Sequence, residues 1–193
     1  TSDKFIVDVV PDGRAMCRCI TVDASDHLYV VEGFNVTHNS SLAFNIGANV
    51  AAQNIGVFGQ SLEMPADELA LRIVSGEGRV NVAKAHAGEK LTPREWAKMT
   101  DAAVTVSKLP MWLDDRGDAD LSHVRSGVRR AEREAAIPKF GTKLGLVIVD
   151  YLQLMRRGGE MRGRRDVNRE QEVSEISRNL KAMAKEHNVP VVA

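Results

Sequence analysis

The chain has 193 residues, 44% hydrophobic and 27% charged, with 26 Lys+Arg against 26 Asp+Glu. That suffices for one domain with a core, or a domain plus a small appendage, and excludes wholesale disorder and nucleic-acid binding through bulk positive charge. No apolar run approaches the roughly 20 residues of a membrane-spanning helix and no basic-then-apolar leader opens the chain, while Cys17 and Cys19 are too few for a disulfide framework or a four-cysteine zinc site. A soluble cytosolic protein is expected, and Thr1 in place of Met, with a strand-like Val-Val-Ala end, reads as a piece of a longer chain.

Residues 1–39 are rich in β-formers and carry three basic side chains against six acidic ones. Cys17–Val22 and His27–Val31 are extended runs flanking Asp23-Ala24-Ser25-Asp26, a turn composition. From Ser40 the pattern changes. Leu42, Phe44, Ile46 and the alanines predict a helix to about Ala52, followed by a short strand at Ile55–Phe58. A helix over residues 65–76 includes Leu69, Leu71 and Ile73, and another covers Pro93–Ser107. Met111–Leu113 is strand-like, and the basic stretch Leu121–Ala136 has helical spacing. Leu144–Val149 is a continuous apolar run ending at Asp150; Val173, Ile176, Leu180 and Met183 recur at helical spacing, and Val189–Val192 begins a last strand. This alternation predicts an α/β fold, a parallel sheet with flanking helices.

A buried parallel strand ending in Asp150 places a carboxylate at the sheet's C-terminal edge, where ligands of α/β sheets bind and where it can hold the water shell of a magnesium ion on nucleotide phosphates. A simple capping Asp after a core strand fits the same pattern. Glu63, in Ser61-Leu62-Glu63-Met64, falls just past another strand. It either polarises water for in-line attack on a γ-phosphate or favours the start of the next helix.

Ser61-Leu62-Glu63-Met64, Ile148-Val149-Asp150-Tyr151-Leu152-Gln153-Leu154-Met155 and Asn168-Arg169-Glu170-Gln171-Glu172-Val173-Ser174-Glu175-Ile176-Ser177 resemble the bacterial replicative DNA helicase family, DnaB, in order and approximate spacing. The resemblance covers residues 40–193. It implies a RecA-like fold, a homo-hexameric ring, Mg2+-dependent ATP hydrolysis, translocation on single-stranded DNA at the replication fork, and primase and a helicase loader as partners. It also implies Glu63 as the catalytic carboxylate, Asp150 as the magnesium-side carboxylate, no membrane association, and a cytoplasmic, nucleoid-associated location in a bacterial or phage-infected cell.

A phosphate loop needs a Gly-rich turn and a Lys before its Ser/Thr, because backbone amides and the ammonium together cradle the phosphates. Ser40-Ser41-Leu42 begins like the helix after such a loop, yet Phe34-Asn35-Val36-Thr37-His38-Asn39 supplies neither Gly-x-Gly nor Lys. Val31 to Asn39 followed by Ser40 resembles instead the C-terminal end of an intein. Asn39 can attack its own carbonyl with its side-chain amide, forming a succinimide and cutting the 39–40 bond, while His38 assists. Ser40 can first accept the upstream protein segment as an ester. The resemblance places His27 as a second assisting His.

Cys17 and Cys19, two apart, share one side of a strand, and burial as small hydrophobes would suit both. A Cys at the aligned position of Cys19, with Thr37 before the penultimate His, resembles class 3 inteins, in which that Cys is the first nucleophile. Residues 1–39 are therefore expected to be the C-terminal segment of an all-β, Hint-type intein domain, and 40–193 a RecA-like ATPase domain truncated at both ends. Splicing would restore Gly-Lys-Ser-Ser, with Ser40 and Ser41 at the nucleotide and Ser40 toward magnesium. The fragment by itself is expected to be inactive.

Arg156, Arg157, Arg162, Arg164 and Arg165 form a Gly/Arg-rich stretch that either contacts DNA or a neighbouring subunit, or is a solvated loop. Arg125, Arg129, Arg130 and Arg133 read as a solvated, salt-bridged helix face. Trp96 and Trp112 are expected in the core, and His86, His123 and His187 lack metal-ligand spacing and are assigned no chemistry. Two other readings compete: a RecA- or KaiC-type ATPase, and a non-catalytic binding module that keeps the fold without a working phosphate loop.

Overall fold

A computed structural model describes residues 29–31, 35–37, 39–81, 84, 91–150 and 169–193. The chain divides between residues 38 and 39 into two compact units. In the first, β1 (Tyr29–Val31) pairs antiparallel with β2 (Asn35–Thr37), Val30 opposite Val36. The sequence does not predict the strand at 35–37, since Asn-Val-Thr is too short to show alternation. The run Cys17–Val22 lies outside the described residues.

The second unit runs α1 (Asn39–Ala52), β3 (Gly56–Ser61), α2 (Ala66–Glu77), α3 (Pro93–Val106), β4 (Met111–Asp114), α4 (Leu121–Ala135), β5 (Leu144–Asp150), α5 (Arg169–His187) and β6 (Val191–Val192). Its four strands are parallel, in the order β4-β3-β5-β6. Successive strand residues face opposite sides, so the sheet is apolar on both. Val57, Leu146 and Ile148 pack with Phe44 of α1 and Leu69 and Ile73 of α2; Phe58, Val147 and Val149 pack with Val124 and Val128 of α4 and Leu180 and Met183 of α5. Steps toward the β4 edge thus use one face and steps toward the β6 edge the other, as right-handed crossovers require.

Two glycines let these layers close. A Cβ on Gly59 would lie 2.6 Å from the Phe44 ring, and one on Gly127 would lie 2.4 Å from the Phe58 ring. Phe44 over Gly59, with Gly47 farther along α1 beside Val57 and Ile148, sets α1 antiparallel to the strands. Its N-terminus therefore lies at the sheet's C-terminal edge.

Three expectations change. β3 does not stop at Phe58 but continues to Ser61, because Gly59, Gln60 and Ser61 are paired on the β5 side and Gly59 and Gln60 also on the β4 side. The last strand is shorter than expected: only Val191 and Val192 pair, opposite Val147 and Ile148. Trp96 is not in the core: it is 60% exposed, since α3 buries Met99 and Ala102 and turns its first-turn Trp aside. Trp112 does pack against the core, edge-on to Phe140 at 5.4 Å. Among the described residues no helix is long and apolar enough to cross a membrane.

Candidate functional site

Three chain segments meet the C-terminal edge of the sheet. The first is the start of α1. Its leading backbone N–H groups have no intrahelical acceptors and no acidic residue stands in its first turn, so this end suits an anion. Asn39 opens the helix, and Ser40 behind it is 1% exposed. Ser41 Oγ accepts a hydrogen bond from Arg72 Nη1 at 3.0 Å, and Arg72 Nη2 is 2.8 Å from Glu68 Oε1, which ties the first turn of α1 to α2.

The second segment is the loop from β3 to α2, which carries Glu63, an exposed residue two positions past the strand end. Its backbone is pinned on both sides of that residue. Leu62 N–H donates to Asp150 O at 2.7 Å, and Met64 N–H donates to Ser61 Oγ at 3.0 Å. The third segment is the end of β5. Asp150 is the last strand residue, opposite Ser61 in the register, and is 9% exposed. Its Oδ2 is buried without a hydrogen-bond partner among the described residues. A buried carboxylate oxygen without a donor is costly, and a cation-bound water shell is the type of partner it lacks. The residues present therefore fit a magnesium ion carried on nucleotide phosphates.

Beside this trio stands a polar cluster to which the sequence reading assigns no chemistry. Gln60 is fully buried, and its Nε2 donates to Asp114 O at 3.1 Å and to Arg116 O at 3.3 Å. Asp114 Oδ1 accepts from Arg116 N–H at 3.1 Å, and Asp114 Oδ2 lies 3.1 Å from His123 Nε2 and 3.6 Å from Arg130 Nη2. Arg116 Nη1 sits 3.3 Å from His123 Nδ1. Because an Arg can only donate, Nδ1 is the acceptor and Nε2–H faces Asp114. Burial raises the Asp114 carboxyl, but the Arg116 amide, His123 and Gln60 outweigh it and hold the group below its ordinary value. The available signal was the pair Asp114-Asp115 directly after a strand, at the edge where the other two carboxylates fall.

The remaining expected site residues are placed less fully. Thr37 ends β2. Cys19, His27 and His38, and the arginines at 156, 157, 162, 164 and 165, lie outside the described residues. The basic face of α4 is salt-bridged in part, Arg129 to Glu186 at 3.3 Å and Arg130 to Asp114 at 3.6 Å, whereas Arg125 is half-buried and its Nε meets no partner among the described residues. Among the described residues no cluster of three or more metal-ligating side chains occurs.

The family model described as DnaB-like helicase C terminal domain matches residues 22–193. The replicative DNA helicase DnaB of Geobacillus stearothermophilus is 40% identical over 157 residues, 80% of this chain and 32% of that protein. DnaB of Mycobacterium intracellulare is 34% identical over 196 residues, which take in 100% of this chain and 32% of the relative. The chain thus spans about a third of the length of these relatives. Among solved structures, one described as an ATPase domain matches with a TM-score of 0.68 at 27% identity, over 80% of this chain and 51% of that one. A DnaB-like replicative helicase, in a structure describing its interactions with primase, matches with a TM-score of 0.67 at 27% identity, over 80% and 35%.

Proposed function

This chain belongs to the DnaB-like helicase C-terminal domain family, and we propose that it is part of the motor of a replicative DNA helicase whose precursor carries an intein ending at Asn39. One observation carries the motor reading: Ser40 at the start of α1, Glu63 past β3 and Asp150 at the end of β5 share one sheet edge. Glu63 orients and polarises the water that attacks the γ-phosphate of ATP. The leading amides of α1, which have no intrahelical acceptors, face the phosphates, and Asp150 Oδ2 with the Ser40 hydroxyl would hold Mg2+ through the nucleotide. When bound, that ion neutralises charge on the transferring phosphoryl group. The assembly acts as a cytoplasmic homo-hexamer on single-stranded DNA at a replication fork. Primase is its partner by analogy with the similar helicase whose interactions with primase are described, and a loader joins it there. Arg156, Arg157, Arg162, Arg164 and Arg165 contact the DNA backbone.

The intein reading rests on the residues themselves. No Gly-Lys precedes Ser40, and His38-Asn39-Ser40, with His27, Thr37 and Cys19, supplies a nucleophile, assisting groups and an acceptor. Cys19 thiolate attacks the carbonyl at the upstream junction and forms a thioester, releasing that junction's amine. Ser40 Oγ then takes the acyl group and frees the Cys19 thiol, and Asn39 cyclises to cut the 39–40 bond. The freed Ser40 amine takes the acyl group from its own Oγ, leaving a peptide bond and a free hydroxyl. An insertion also fits the relatives' lengths. The aligned 157 and 196 residues are each 32% of the relative, so the mycobacterial protein, which matches the whole chain, is about a quarter longer than the Geobacillus one.

A second reading is favoured by one observation: the family match begins at residue 22, before Ser40. In that reading residues 22–39 replace the phosphate loop without Gly-Lys, and the domain binds without hydrolysing. The test of function is unwinding of a 5′-tailed forked duplex by the mature protein from the complete gene. ATP- and Mg2+-dependent unwinding is expected, with Glu63→Gln at least about a hundredfold slower. Strand exchange without unwinding would point to a recombinase, and no hydrolysis at all to the binding module.

A further inference from the structure

The segment carrying Glu63 is fastened at both ends to one neighbouring loop. On its N-terminal side, buried Gln60 Nε2 bonds the carbonyls of Asp114 and Arg116. On its C-terminal side, Ala66 N–H, the first amide of α2, donates to Asp115 Oδ2 at 2.9 Å. Helix α2 has no cap of its own, because Pro65 stands at the N-cap position and offers no side-chain acceptor. Between the clamps, Gly117 lies against Leu62, where an added Cβ would be 3.7 Å from the carbonyl oxygen. The anchoring loop, residues 115–120, is itself held where it leaves β4 by Asp114, which accepts from Arg116 N–H and meets His123 of α4.

We infer that Asp115, together with Gln60, is a positioning residue for Glu63: the two side chains clamp residues 61–66 to the β4–α4 loop and so fix where the Glu63 carboxylate stands relative to Asp150. This rests on the proposed role of Glu63. Asp115 does not touch the nucleotide; it acts through the backbone at Ala66. A carboxylate that must sit within hydrogen-bond reach of an attacking water loses rate steeply when its loop shifts, while nucleotide affinity, set by α1 and Asp150, does not.

The experiment compares Asp115→Ala, Asp115→Asn and Glu63→Gln in the mature full-length protein, measuring kcat and KM for ATP, binding of a fluorescent ATP analogue, and Tm. Asp115→Ala is expected to lower kcat roughly tenfold with KM and analogue affinity within about twofold. Asp115→Asn keeps an acceptor oxygen for Ala66 N–H and is expected to recover most of kcat. Asp115 is exposed, so the variants should fold. A lower Tm with kcat unchanged in Asp115→Ala would overturn the inference and leave a purely structural cap. Equal losses in Ala and Asn would overturn it in favour of a charge effect. Full activity in Glu63→Gln would instead overturn the reading of Glu63 itself, so the two failures are distinct.

Discussion

At Asp114 a half-buried charge is kept by its donors: burial opposes ionisation, and the Arg116 amide, His123 and Gln60 more than offset it. A carboxyl held below its ordinary value stabilises the fold above that ordinary value, near pH ~4, and loses this contribution as pH falls through the lowered one. Asp114→Asn should therefore lower Tm at pH 7, and the gap to wild type should narrow below pH ~4; thermal melts followed by circular dichroism across pH check this, and a constant gap would contradict it. Gly127→Ala tests packing at the same scale. Its methyl would meet the Phe58 ring at 2.4 Å, and a cost of about 1–3 kcal/mol in denaturant unfolding is expected. The end of β5 at Asp150 was legible, since an apolar run stops visibly at that carboxylate; the sequence puts Glu63 just past a strand, and it stands two positions beyond a β3 that runs longer than its apolar residues indicate. The sequence did not reveal Gln60, Asp114 and His123 as a cluster: Gln60 and Asp114, 54 positions apart, meet only when β3 and β4 pair, and Asp114 meets His123, 9 positions on, only when α4 packs back against the sheet. Trp96 misled for the opposite reason: a large aromatic suggests burial, but only the helix face decides it.

Among the elements, helices were legible and strand ends less so. The start of α3 is written in four residues: Thr92 Oγ1 accepts from Glu95 N–H at 3.2 Å, and Glu95 Oε2 accepts from Thr92 N–H at 2.8 Å. Thr92→Ala should cost about 1 kcal/mol by equilibrium unfolding. The extension of β3 through Gly59-Gln60-Ser61 was not legible, since none of these favours strand by itself and only the neighbouring strands hold them. The arrangement of faces also predicts the strand that would enter α1 in the spliced product. α1 lies on the face whose connections step toward β4, so that strand belongs on the β6 side of β3. With β5 and β6 in place, the position left is the outer edge of β6, unpaired among the described residues. A disulfide engineered between that strand and Val192 should form in the mature protein; cross-linking to β4 instead would contradict this.

In the whole molecule the two structural units divide at His38/Asn39, while the sequence pattern changes at Asn39/Ser40, where a phosphate loop would be expected. Residues 40–193 announce a parallel α/β domain through alternation alone, and the structure bears this out. Residues 1–39 carry their chemistry in scattered single residues, of which periodicity says nothing; the proposed roles of Cys19, His38 and Asn39 come from resemblance and reactivity. In the proposed scheme Ser40 serves first as acyl acceptor and then as a phosphate-loop residue. The most direct measurement is the intact mass of the protein made from the complete gene, wild type beside Cys19→Ala and Asn39→Ala. A ligated wild-type product lacking residues 1–39 is expected, and no such product from either variant. A wild type that retains residues 1–39, or splicing that persists in Cys19→Ala, would contradict the scheme.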